Sequence, residues 1–97
     1  MRKEEFSNYL ANKKRNHNGK IGFYSENSIK SRISCLQRLE RHFNVDIENK
    51  VKDYETACQF LRDIRDAEIE SLEHTPLSNA FRHYYEFSTG KVIERIF

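Results

Sequence analysis

Tryptophan is missing from this chain, proline occurs once and glycine three times in 97 residues. So little punctuation excludes a fold of many short strands joined by tight turns and favours a few longer helices. No apolar run approaches the roughly 20 residues needed to cross a bilayer, which excludes a membrane-spanning helix. Nor is there the charged-then-apolar leader of a secreted protein. Met1 leads at once towards KEEFSNYL, as a native N-terminus would, so a cytoplasmic setting is expected. Cys35 and Cys58 stand far apart without C-x-x-C spacing, which excludes a disulfide framework and leaves two free thiols for the core. His17, His42, His74 and His83 show neither H-x-x-x-H spacing nor a cysteine partner, so no metal and no cofactor is expected. Gly19 and Gly22 in GKIG lack the strand–loop–helix setting of a phosphate cradle and read as a turn. No Ser-His-Asp or paired-carboxylate arrangement stands out, and a domain this small has little room for a cleft; an enzyme is not expected.

What the chain does contain is periodic apolar residues and an uneven charge. At 37% hydrophobic and 33% charged it is polar, yet its apolar residues recur regularly enough to build a core. Its length suits one compact domain with a radius of gyration of roughly 13 Å. Seven Phe and five Tyr predict an aromatic interior. Residues 1–50 hold eleven Lys/Arg against six Asp/Glu, and residues 51–97 hold six against nine, so a net +2 conceals a basic front and an acidic rear. A basic half suits a polyanion; an acidic half suits a protein partner or plain solubility.

Four helices are predicted. In KEEFSNYLANKK (3–14), Phe6, Tyr9 and Leu10 form a stripe, with acids early and lysines late to complement the helix dipole. NHNGKIGFYSEN follows as a loop, and no segment reads as a strand. The second helix opens on a cap at Ser25 or Asn27, buries Ile29, Ile33, Leu36, Leu39 and Phe43, and stops at a left-handed Asn44. Arg32 and Glu40 fall within or beside its apolar arc, at the core margin with their stems on it. Val45, Ile47 and Val51 plug the base of the bundle. Asp53 caps the third, acidic helix (53–70), and Thr75-Pro76 starts the fourth, which buries Leu77, Phe81, Tyr84 and Phe87 and ends at Gly90. The fold class is therefore all-α, a compact four-helix bundle over residues 1–91. Residues 92–97 form an apolar tail, VIERIF, that packs on its own domain or awaits a partner.

The polar side of the second helix carries the functional signal. Lys30, Ser34, Gln37 and Arg41 cluster within about 60°, with Arg38 just beyond, and no carboxylate sits among them. An ordinary solvated face mixes both signs of charge. RHYYEF in the last helix holds Arg, His and Tyr, residue types that catalysis uses, but Tyr84 lies on the buried stripe and Arg82 points away from it, so these are core aromatics with flanking charge.

The ordered set FSNYLAN, SENSIKSRISCLQRLERHF, FLRDIR and LSNAFRHYYEFSTGK resembles the N-terminal core-binding domain of phage integrases and other tyrosine recombinases, over roughly residues 3–91. The resemblance implies a SAM-like bundle that clamps duplex DNA with basic and polar helix side chains and performs no chemistry itself. It implies Lys30, Ser34, Gln37, Arg38 and Arg41 as contacts, with Lys13, Lys14 and Arg15 next. The chain departs from the family in lacking the catalytic Arg, H-x-x-R and Tyr set, and in closing with VIERIF where the family has an Asn-Pro linker. It is thus a fragment of a longer recombinase or a free-standing relative. A free-standing relative suits a second role, a small and phage-encoded interaction or inhibitor module acting through the acidic helix 53–70 or the tail 92–97.

Overall fold

The computed structural model describes residues 1–17, 20–71 and 73–93, the side chains of residues 14–17, 20 and 21 excepted. Helices span Lys3–Asn12 (α1), Glu26–Phe43 (α2), Tyr54–Asp66 (α3) and Pro76–Thr89 (α4), with a 3₁₀ turn at Ile47–Lys50. The fold is an all-α bundle of four helices, with a radius of gyration of 13.0 Å. α2 packs along α4, α1 lies against both, and α3 packs on α4 and the 3₁₀ turn.

Local signals account for most boundaries. The Ser25 hydroxyl accepts from the Ser28 N–H at 3.2 Å, and Asn44 adopts the left-handed conformation (φ 52°, ψ 52°) that ends α2. Asp53 caps α3 by accepting from the Thr56 N–H at 2.7 Å, and Gly90 ends α4 at φ 75°. α4 departs from the expected pattern. Pro76 holds its first position, but the Thr75 side chain makes no cap bond. The Glu70 carboxylate supplies it, accepting from the Leu77 N–H at 2.8 Å and from both the N–H and hydroxyl of Ser78.

Three further expectations, about where elements lie, need correction. The predicted third helix of 53–70 stops at Asp66, and Glu68 is left-handed (φ 54°); the chain leaves the helix so that Glu70 can reach α4. α1 ends at Asn12 rather than residue 14, because Lys13 is already extended (φ −86°, ψ 122°). It leads into an antiparallel ribbon where a loop was expected, β1 (Lys14–His17) and β2 (Lys20–Phe23), paired Lys14 to Phe23, Arg15 to Gly22, Asn16 to Ile21 and His17 to Lys20. Residues 18 and 19 between the strands lie outside the described residues.

The core is aromatic, as composition implies. Phe6, Phe60, Phe81, Tyr84 and Tyr85 are buried with Leu10, Leu36, Leu39, Ile47, Leu61, Ile64 and Leu77. Edge-on pairs join the helices: Phe6 with Tyr84 at 5.0 Å and Phe60 with Phe81 at 4.9 Å. Phe87, expected in the core, is only partly buried; Tyr85 and Ala80 take more of that face. In the tail, Ile93 is buried and Val92 exposed, while residues 94–97 lie outside the described residues.

Where α1 meets α4, the Tyr84 hydroxyl donates to Glu48 and accepts from the Arg2 N–H at 2.8 Å. Burial, then the Glu48 carboxylate, pushes the phenol up to about 12. Burial also works to raise Glu48, but hydrogen bonds from Tyr84 and Arg2 outweigh it and hold the carboxyl below its ordinary 4.5. Asp46 and Asp53 are lowered chiefly by the backbone N–H groups they cap. A carboxyl lowered in the folded state stabilises above its unfolded value, and that stability disappears as pH falls through the folded value. The urea midpoint is therefore expected to drop as pH falls below about 4.5, with a shallower drop in Glu48→Gln. An unchanged acid limb in that variant would remove Glu48 from the account.

Candidate nucleic-acid interface

α2 positions the predicted contacts because its opposite side is locked: Ile33, Leu36 and Leu39 are buried, which turns Lys30, Ser34, Arg38 and Arg41 outward. All four are exposed, and Gln37 is half-buried. Arg38 and Arg41 make no ion pair among the described residues. Gln37 and Arg41 share a shallow depression with Glu40 and Asp46, but those acids serve internal donors. Glu40 accepts from the Ile47 N–H at 3.1 Å, and Asp46 holds the Met1 ammonium at 3.2 Å.

Lys30 is different. Its ammonium lies 3.5 Å from Glu26, one turn earlier, an acid that the sequence reading left out of the stripe. With Lys30 71% and Glu26 84% exposed, such a pair holds little energy, a few tenths of a kcal/mol at most by order of magnitude. An external anion can take the lysine over.

Lys13 is placed apart from the helix stripe. Its ammonium sits 2.9 Å from Glu86 of α4 and over the Tyr9 ring, and the hydrogen bond it donates to Glu86 outweighs burial to raise it. Its charge is committed inside the molecule. The side chains of Lys14 and Arg15 lie outside the described residues.

Arg32 follows the expected pattern of a stem on the core, in a setting the sequence did not disclose. Its guanidinium lies 4.5 Å from the Tyr24 ring centre, and its Nε–H donates to His83 Nδ1 at 3.2 Å. The Tyr24 hydroxyl meets His83 Nε2 at 3.4 Å. This cluster ties the segment leading from β2 into α2 onto α4. The residues of RHYYEF are thereby engaged in structure: Tyr84 with Glu48 and Arg2, His83 with Arg32, and Arg82 with Asn79 at 2.8 Å. Cys35 and Cys58 are free thiols, and burial pushes Cys35 up, away from the reactive thiolate.

α3, as formed, holds Glu55, Asp63 and Asp66 beside Arg62 and Arg65. Gln59 bridges the signs, donating to Asp63 at 3.0 Å and accepting from Arg62 at 3.5 Å. With the helix ending at Asp66, Glu68 and Glu70 no longer extend it, and its outer surface is mixed rather than acidic.

Among the described residues, no helix is long and apolar enough to cross a membrane, and no three His, Cys, Asp or Glu side chains gather as a metal site. No family model, no curated protein and no solved structure matches this chain.

Proposed function

We propose that this chain is a DNA-binding helical module that grips the duplex backbone without catalysis, of the SAM-like core-binding type found in phage integrases and other tyrosine recombinases. One observation carries this: the outer side of α2 presents Arg38 and Arg41, exposed and unpaired by any described carboxylate, on a helix whose other side is locked into the core. Dimensions support it. Lys30 and Arg41 are eleven residues apart, roughly 16 Å at 1.5 Å per residue, which exceeds the roughly 12 Å width of the major groove. The cations at the two ends can therefore reach phosphates on opposite rims, while Ser34 and Gln37 lie between them over base edges. Lys30, Arg38 and Arg41 position the module; Ser34 and Gln37 are the groups able to read sequence. The near-neutral outer surface of α3 favours this over docking to a protein through an acidic helix.

The test is a titration of labelled duplex DNA with the full chain at two salt concentrations. Three to five phosphate contacts give a log–log slope of about −3 to −5, a loss on the order of a hundredfold between about 50 and 200 mM salt. Absent binding at the lower salt, or affinity indifferent to salt, would overturn the proposal.

A further inference from the structure

Among the described ribbon residues, Gly22 and Phe23 lie outside the buried core, and both legs of the β1–β2 ribbon are fixed to the bundle. At the β1 side, Lys13 is held by Glu86 at 2.9 Å. At the β2 side, Tyr24 is held against Arg32 and His83, and Ser25 caps α2. The ribbon is thus a rooted arm joined through two residues to the helix that bears Arg38 and Arg41.

Strand residues alternate between faces, so the register sorts the sequence. Lys14, Asn16, Ile21 and Phe23 share one face; Arg15, His17, Lys20 and Gly22 share the other. The second set contains no acid and no apolar residue. Its one residue without a side chain, Gly22, is paired with Arg15.

Glycine weakens a strand, and one inside a strand usually serves a bulge, a positive φ or a close approach of another chain. Gly22 serves neither of the first two. The ladder runs through it in unbroken register, and the positive-φ residues described are Asn44, Glu68 and Gly90. No described atom lies within 4 Å of a Cβ built on Gly22. Among the described residues, nothing opposes a side chain there. A bare strand at Gly22 leaves room for an approach from outside.

Resting on the DNA-binding reading above, we infer that the ribbon face of Arg15, His17, Lys20 and Gly22 is a second contact on the same duplex, with Gly22 keeping the strand bare so that the DNA backbone comes close. The occupant follows from charge complementarity: an acid-free, cationic face fits a polyanion. Four-residue strands are roughly 13 Å long, and a two-stranded ribbon of this size fits a duplex groove.

Two variants of the full chain, titrated on a labelled mixed-sequence duplex, test the inference. Arg15→Glu with Lys20→Glu is expected to lower affinity at least about tenfold and to reduce the salt slope by about two. Gly22→Val is expected to lower affinity while leaving the melting temperature unchanged or higher, because valine suits a strand. If wild-type protein binds and both variants bind equally well, the ribbon is no contact and the α2 reading stands. If Gly22→Val melts lower, the glycine serves folding and the argument from it fails. If wild-type protein does not bind, both readings fall together.

Discussion

Lys30→Glu, Arg38→Glu and Arg41→Glu together are expected to lower affinity for duplex DNA by about a hundredfold or more and to flatten the salt slope by about three, one contact per residue. These residues are exposed, and none anchors the core, so helical content and melting temperature should remain near wild type. Net charge alone could mimic the effect. The control is Lys3→Glu with Lys52→Glu and Lys91→Glu, which changes net charge equally at three exposed positions off α2. Equal losses in the two triple variants would show nonspecific attraction and remove α2 from the interface. A large loss confined to the α2 variant assigns the grip to that helix. Single variants should rank Arg38 and Arg41 above Lys30, since Lys30 must first leave Glu26.

The second large effect is on stability. Phe6 is fully buried, with its ring 5.0 Å from Tyr84 and 5.5 Å from Phe87. Phe6→Ala removes those contacts and leaves a cavity, at a cost of about 3–5 kcal/mol. A domain of this size holds only about 5–15 kcal/mol in total, so the melting temperature should fall by roughly 15 °C or more. Phe6→Leu, which keeps most of the volume, should cost well under half as much. Thermal unfolding followed by circular dichroism measures both. A loss below about 1 kcal/mol in Phe6→Ala would mean that α1 contributes little to the packed bundle.

Much of the bundle could be read from the chain because its signals are local. Ser25, Asn44, Asp53, Pro76 and Gly90 act within a turn of where they stand, and each sits at the predicted boundary. The ribbon was missed because KRNH and KIGF lack the apolar alternation that marks a strand. The signal that was present is the Asn-Gly pair at 18 and 19, separating two short runs by two residues. The end of α3 was missed for another reason. Nothing near Asp66 breaks a helix, and Glu70 is drawn out of line by N–H groups of α4.

The candidate interface divides the same way. The outward position of Arg38 and Arg41 follows from helical periodicity and was legible. The pairing of Lys30 with Glu26 is one turn long and equally legible, since it depends only on i,i+4 spacing. The loss of Lys13 to Glu86 was not legible, since the partner lies 73 residues away.

By itself the sequence determined the four helices, the caps at Ser25, Asn44, Asp53 and Gly90, most of the buried sides and the free thiols, because these depend mainly on residue type and spacing within one or two turns. Only the tertiary structure decided which charges are neutralised across elements and which stay open. Ion pairs such as Lys13–Glu86 and the Glu48–Tyr84–Arg2 bond set join residues that meet only after the helices pack. Electrostatic energy depends on distance in space and on solvent exposure, and neither is written in the order of the residues.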